Sequence, residues 1–485
     1  MNEEPPENQD QEGSRVWTPQ KRERVFRPEP VQTPTSSIRS THTKLRRQLP
    51  IALRLVIGLL ILVAVGTALL LMPGVTTRQL SLREALFTAT SALTVTGLGV
   101  ITPAIDLTII GQFILMVLVQ IGGVGFMVLA VVAFQLIGRR IQLADRLALR
   151  DSLGLIDVQS VVRLTWRVLQ SVLIIELIGA IFLWLNWRNQ LGDGLALFYG
   201  MFHAITAFCN AGFDLFIGLP GYSSIPNDNA TLLILSSLIV IGGLGIPVIG
   251  ELLRYYRDRA FSLHTRLTLA ISLVLLVVGT LGFFISETRA EGTIMNEPWY
   301  RQLLLSYFQS ASSRTAGFAA FAGFENQNPA TQLLTVVLMF IGCAPASMGG
   351  GITTGTFVVL MVALWSNARG ETTVTVWGRT IPQASIQRAG AVLTISLFVV
   401  LFATWLILVS HPTATTSQAL FEVVSAFATC GLSLAFTSQL NWFGQLVIIL
   451  VMFWGRLGAM TVIVALARPT APTRVTYPEE QLLMG

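Results

Sequence analysis

Four glycines stand where the sequence can do chemistry. Gly97, Gly212, Gly317 and Gly431 close four similar segments: FTATSALTVTGLG from Phe87, FHAITAFCNAGFD from Phe202, YFQSASSRTAGFA from Tyr307 and FEVVSAFATCGLS from Phe421. Aligned on the glycines, an aromatic stands ten residues before each: Phe87, Phe202, Tyr307 and Phe421. A small residue stands six before (Ser91, Thr206, Ala311, Ser425), and Leu98, Phe213, Phe318 or Leu432 follows. A lone glycine in an apolar helix is more often a packing device. Four in matched frames point to backbone chemistry. Glycine permits positive φ and close backbone approach. Four extended stretches around an axis can aim rings of carbonyl oxygens inward, which replace the hydration shell of a monovalent cation. The expected ion ligands are the carbonyls of Val95, Thr96 and Gly97; Asn210, Ala211 and Gly212; Thr315, Ala316 and Gly317; and Thr429, Cys430 and Gly431. Because the backbone would bind, their side chains are free to differ.

Something must hold these stretches in place. Long apolar runs lie near 50–72, 107–137, 165–187, 230–253, 266–286, 330–365, 388–410 and 441–467. Each is about 20 residues or longer, enough to cross a bilayer. One glycine segment falls between the members of each pair, too short to cross. Backbone that stops at mid-membrane is tolerated where it lines a water-filled path, and helix C-termini there would add partial negative charge. The expected fold is an all-α integral membrane protein with four parallel span–pore helix–span repeats around a pseudo-fourfold pore. It has eight spans and four pore helices. The expected units are a disordered basic cytoplasmic tail (1–48), repeat 1 (49–137), a cytoplasmic linker (138–164), repeat 2 (165–253), repeat 3 with a broken second span (254–365), repeat 4 (366–467) and a cytoplasmic C-terminus (468–485).

Composition agrees. Only 12% of the 485 residues are charged against 53% hydrophobic, and mean hydropathy is +0.66; soluble domains run near 25% charged. Three cysteines exclude a disulfide framework. The net charge of +6 does not mark a nucleic-acid binder. Of 32 Lys and Arg, 25 fall in 1–54, 139–167, 254–266, 369–388 and at Arg468 and Arg474, segments separated by pairs of apolar runs. Basic residues favour the cytoplasmic side, so both termini are expected there. Residues 1–48 show no signal-peptide pattern.

The motifs TVTGL at Thr94, FHAITAFCNAGFDL at Phe202, SRTAGF at Ser313 and PASMGGGITTGT at Pro345 resemble the Ktr/Trk/HKT superfamily of cation transporters, and within it the KtrB-type membrane subunit. The likeness covers roughly residues 50–470; the tail before 48 lies outside it. Trk-type subunits usually carry two additional leading spans, and the eight expected here favour the Ktr type. Glycine at all four filter positions resembles potassium-selective members; plant sodium carriers often have serine at the first. The resemblance implies potassium uptake with no covalent cofactor, sodium being a further carried or stimulating ion. It also implies a bacterial inner-membrane homodimer with one pore per protomer, contacting lipid and regulated by a separate cytosolic nucleotide-binding ring. The basic loops 139–150, 254–266 and 369–388 would dock that ring.

The sixth apolar run holds Pro345, Gly349, Gly350, Gly351 and Gly355. Proline removes a helix hydrogen bond and each glycine costs about 1 kcal/mol of propensity, so a break is expected over 342–356. Gly350 and Gly355 have phosphate-loop spacing, but Thr356 stands where the lysine belongs. In the resembled family this loop lies beneath the filter as a gate, here Gly349, Gly350, Gly351, Thr353, Thr354 and Gly355. Arg456, inside the last run, should face the pore and donate to loop oxygens, since a cation in a membrane needs partners. Arg314, three before Gly317, should turn away from the axis and pair with Glu422 of the neighbouring pore helix as filter support. Asp214 is read as a vestibule acid that concentrates cations, or as a solvated loop acid. Glu176, mid-span, would bind sodium or cap a neighbouring helix. Cys209 and Cys430 are read as small apolar substitutes.

Two other classes of protein fit the sequence less well. An ion-coupled secondary transporter uses inverted repeats, whereas these four all begin and end on the basic side. An enzyme would need converging groups, yet His42, His203, His264 and His411 are scattered and no metal-binding HExxH run occurs. A sodium-conducting member of the same superfamily stays open as an alternative.

Overall fold

The computed structural model describes residues 51–125, 161–289, 293–321, 323–371 and 373–458. The tail, the linker at 138–160, the loop 139–150 and the C-terminus lie outside them.

Helices dominate the described residues. Those longer than four residues are, in chain order, α1 (Ile51–Leu70), α2 (Leu82–Leu93), α3 (Ile109–Val124), α4 (Val161–Leu191), α5 (Asp193–Phe208), α6 (Asn229–Gly243), α7 (Ile246–Asp258), α8 (Leu263–Glu287), α9 (Trp299–Ser313), α10 (Pro329–Ile341), α11 (Thr354–Ala368), α12 (Gln383–Ser410), α13 (Thr416–Ala428) and α14 (Trp442–Leu457). A two-stranded hairpin, β1 (Thr375–Val376) and β2 (Arg379–Thr380), turns at Trp377 and Gly378, both at positive φ. That turn suits the twist of paired strands, and it sits inside the basic segment 369–388.

Four helices are long and apolar enough to cross a membrane: α1, α4, α8 and α12. They are five if α6 and α7, bent by 102°, count as one. The long helices expose apolar side chains such as Ile61, Leu177, Leu273 and Phe398. The short helices α2, α5, α9 and α13 bury polar ones, including Ser91, Thr206, Ser312 and Ser425. Polar groups inside and apolar groups outside is the distribution a lipid solvent selects.

Local sequence sets the helix starts. Ser81 caps α2 and Thr415 caps α13, each in a reciprocal capping box, with Glu84 and Gln418 respectively. Thr108, Asp228, Ser262, Asn328 and Asn441 cap α3, α6, α8, α10 and α14 through their side-chain oxygens. Gly192, at φ 78°, separates α4 from α5.

The packing closes on itself. Each short helix lies on the long helix before it: α2 on α1, α5 on α4, α9 on α8 and α13 on α12. The next helix in chain order then reaches the following short helix: α3 packs on α5, α6 on α9, α10 on α13 and α14 back on α2. Of the second runs, only the sixth was expected to break. Instead the helices α3, α6, α10 and α14 all stop at or just before a glycine of positive φ: Gly125, Gly245, Gly342 and Gly458. The unexpected stops contain no proline before the glycine, and so looked continuous in sequence.

Candidate functional site

Each short helix hands the chain to a strand with the same unusual backbone. Val95, Asn210, Thr315 and Thr429 have φ of 58°, 58°, 73° and 51°, and the glycine two residues later is also positive in every case. For β-branched residues this is a rare conformation, costing about 1–2 kcal/mol each. The turn is held by backbone bonds to the short helix: Thr96 N–H to Ser91 O (2.8 Å), Ala211 N–H to Thr206 O (2.7 Å), Cys430 N–H to Ser425 O (2.8 Å) and Ala316 N–H to Ser312 O (2.8 Å).

That last bond corrects the alignment of the third repeat. Its counterpart of Ser91, Thr206 and Ser425 is Ser312, not Ala311, and its buried aromatic is Phe308, not Tyr307. The turn there is one residue shorter, with Arg314 at φ −88°, ψ 59° closing α9. Ser312 Oγ donates to Phe318 O as Thr206 Oγ1 does to Phe213 O. In this register the frame reads Phe87, Phe202, Phe308 and Phe421, all wholly buried.

The four glycines form a closed ring of neighbours. A Cβ on Gly97 would collide with Ala211 O, one on Gly212 with Ala316 O, one on Gly317 with Cys430 O and one on Gly431 with Thr96 O. The glycines, with Leu98, Phe318, Leu432 and Asp214, line a cavity of about 310 Å³. A second cavity of about 360 Å³ is lined by Leu93, the ends of α3 and α14, and Gly349, Gly350, Gly351, Thr353 and Arg456.

The break at 342–356 is present, between α10 and α11. The loop is fixed to the end of α6 by Ala344 N–H to Gly243 O (3.1 Å) and to the start of α7 by Ile246 N–H to Ala346 O (3.0 Å). It closes on itself through Thr354 N–H to Cys343 O (2.9 Å). It also lies against the strands. A Cβ on Gly350 would stand 2.7 Å from Thr429 Oγ1, and one on Gly349 would strike Thr315 Oγ1. Thr353 caps α11 at φ 69°, Thr354 is buried, and Gly355 lies against Pro345. Cys343 Sγ is 3.0 Å from Arg314 O, 3.2 Å from Thr315 Oγ1 and 3.6 Å from Asn210 Nδ2. It joins the loop to two strands, a role its sequence position did not show.

Arg456 donates to Met348 O of the loop, as expected, and also to Gly122 O and Gly123 O at the end of α3. Its position is legible once the helix ends are aligned. Gly122-Gly123-x-Gly125, Gly242-Gly243-x-Gly245 and Gly455-Arg456-x-Gly458 share one spacing, and the arginine replaces the second glycine. Gly122, Gly242 and Gly455 each abut the end of a short helix, at Leu93, Phe208 and Phe427.

The expected pair of Arg314 with Glu422 does not form. Arg314 donates to Ser272 O (3.3 Å) and Ser272 Oγ (3.2 Å) on α8. Glu422 accepts from Ser433 Oγ (2.8 Å) and from Thr437 Oγ1. Each finds its partner within its own repeat. Asp214 borders the outer cavity, but it is neither solvated nor free. Its carboxylate accepts from Phe216 N–H (2.7 Å) and lies 3.1 Å from His203 Nε2. Glu176 meets Gln120 Nε2 (2.9 Å) and Cys209 Sγ (3.7 Å). The thiol of Cys209 therefore does more than fill space, and Cys430 Sγ lies 3.7 Å from Ser312 O. Among the described residues no three His, Cys, Asp or Glu side chains gather as metal ligands.

Among the described residues, a largely helical fold with apolar outer helices around a closed ring of glycines defines a membrane transport protein. The family described as "TrkH: Cation transport protein" matches residues 33–472, and the chain belongs to it. It is 37% identical over 422 residues to the Ktr system potassium uptake protein B of Vibrio alginolyticus, covering 87% of this chain and 92% of that one. The protein of the same description from Bacillus subtilis strain 168 is 36% identical over 432 residues, covering 89% and 96%. The potassium/sodium uptake protein NtpJ of Enterococcus hirae is 34% identical over 454 residues, covering 91% and 99%. The crystal structure of the potassium transporter TrkH from Vibrio parahaemolyticus shares the fold, with a TM-score of 0.68 at 21% identity over 88% of this chain and 86% of that one.

Proposed function

We propose that the protein takes up potassium ions through a channel-like pore where the four glycine strands meet. The observation that carries this reading is the closed ring, in which each glycine admits the neighbouring strand's carbonyl to a distance no side chain would allow. The carbonyls of Val95 to Gly97, Asn210 to Gly212, Thr315 to Gly317 and Thr429 to Gly431 are the ion ligands, supplying the oxygen shell that water provides outside. Eight spans and four pore helices surround an axis of pseudo-fourfold symmetry, α3, α6, α10 and α14 each beginning a span that its glycine bends or ends.

The loop 342–356 is the gate. Pressed against Thr315 and Thr429 and held by Arg456, it occupies the side of the strands away from the outer cavity, and Arg456 adds a repelling charge there. Arg314 and Glu422 support the filter separately, each through its own repeat. The molecule works as a homodimer in the bacterial inner membrane with both termini cytoplasmic, and a cytosolic nucleotide-binding ring regulates it. The relatives' description as one protein of a "Ktr system" supports a partner.

Sodium is the second candidate ion, supported by the potassium/sodium uptake relative. Potassium and sodium flux into proteoliposomes, with Gly97→Ser beside the parent, tests the reading. The parent should carry potassium and the variant should lose discrimination. A parent without potassium flux, or a variant with unchanged discrimination, overturns it.

A further inference from the structure

Three residues before the Ser or Thr whose carbonyl anchors each strand, the short helices carry Thr88, His203, Gln309 and Glu422. The four positions are equivalent in the corrected register, and all four side chains are buried. Three of them reach the chain just beyond the filter glycine. Glu422 accepts from Ser433 and Thr437, two and six residues after Gly431. His203 Nε2 lies 3.1 Å from the Asp214 carboxylate and 3.3 Å from the N–H of Leu215, two and three residues after Gly212, and bonds one of them at a time: it donates to Asp214 when it carries a proton and accepts from Leu215 when it does not. Its Nδ1 lies 2.8 Å from Tyr199 O, and since a carbonyl only accepts, Nδ1 donates. Gln309 Oε1 accepts from Ala320 N–H at 3.4 Å, three residues after Gly317. The first repeat differs. Thr88 Oγ1 has no hydrogen-bond partner among the described residues, and Gly99 stands where Asp214 and Ser433 stand.

We infer that Glu422 and His203, with Gln309 as a weaker third, are positioning residues that brace the outer turn of their strands and set the discrimination between potassium and sodium. The inference rests on the pore reading above. The braces act behind the strand, so they touch no ion. A carbonyl ring discriminates by the number and field of its dipoles, and a strand free to rotate at its outer turn loses that arrangement. By ring order, the second and fourth strands face each other across the centre, so the two strongest braces hold opposite walls.

The test is the ratio of potassium to sodium flux in proteoliposomes of the full chain. Glu422→Ala removes two bonds to a carboxylate and should lower the ratio about tenfold. Glu422→Gln keeps one acceptor and gains a donor that the other hydroxyl can accept, and should hold the ratio within about threefold. Ser433→Ala combined with Thr437→Val removes the same bonds from the other end and should match Glu422→Ala; it also serves if that variant fails to fold. Thr88→Val, at the equivalent unbraced position, should leave the ratio unchanged. Potassium-dependent thermal stabilisation in detergent gives a second readout on the same samples, and it should fall with the ratio. An unchanged ratio in both the Glu422→Ala and the Ser433/Thr437 variants overturns the inference, as does a fall in Thr88→Val as large as theirs. Gly97→Ser separates the two levels. If it lowers the ratio while the brace variants do not, only the braces are refuted; if it too leaves the ratio unchanged, the pore reading falls.

Discussion

The first and fourth repeats share a backbone and divide in their side chains. Both have a capped short helix, a left-handed residue two before the glycine, and an inner helix ending at a positive-φ glycine. The fourth adds Glu422 behind its strand and Arg456 at its inner helix end. The first has Thr88 and Gly123 there. Shared geometry marks what all four strands must do together, and the departures mark tasks given to one repeat.

The largest expected effect strikes what the two repeats share. Gly431→Ala and Gly97→Ala each put a Cβ into a neighbour's carbonyl at a φ of 93° or 84°. Backbone strain of about 1–2 kcal/mol and overpacking of about 1–3 kcal/mol should cut potassium flux roughly 100-fold in either. A large loss at one and not the other would break the equivalence. Arg456→Gln strikes what only the fourth has. It loses contacts to three carbonyls, and should change flux roughly tenfold with the oligomer intact on size exclusion; unchanged uptake kinetics would count against a gating role. On the side of the first repeat, Gln120→Leu leaves one Glu176 oxygen without its donor. The thermal midpoint should fall by a few degrees, for about 1–3 kcal/mol.

The smallest effect concerns the caps. In the first repeat the Arg78 guanidinium beside Glu84 holds its carboxyl down at about 2, against an ordinary 4.5. A depressed folded value gives stability that is present above 4.5 and lost as pH falls towards 2. The fourth repeat has uncharged Gln418 in the same role. Acid unfolding followed by hydrogen exchange should therefore loosen α2 before α13, and Glu84→Gln should remove the difference.

Much of this was legible because glycine and proline announce backbone conformation. The four strands and the break at 342–356 rest on such residues, whereas the need of Arg456 for loop oxygens follows from a cation inside an apolar run. The stops after α3 and α14 were hidden in apolar runs without proline, and at α6 the proline, Pro247, comes only after the glycine. The third register was hidden because gap-free alignment on Gly317 cannot show a turn one residue shorter. The partner of Arg314 was missed for another reason. Its acceptors are a helix carbonyl and a serine hydroxyl, and every residue has a carbonyl, so charge complementarity pointed wrongly to Glu422. His203 offered a readable signal, since it and Glu422 both stand nine residues before a filter glycine.

The ring of glycines has a sense of rotation. By its nearest contact Gly97 leans on the second strand, Gly212 on the third, Gly317 on the fourth and Gly431 on the first, while Gly212 and Gly317 also abut each other. A lesion in one strand is passed first to the next in that order, so its echo should be sought one quarter-turn onward, and between the second and third strands in both directions.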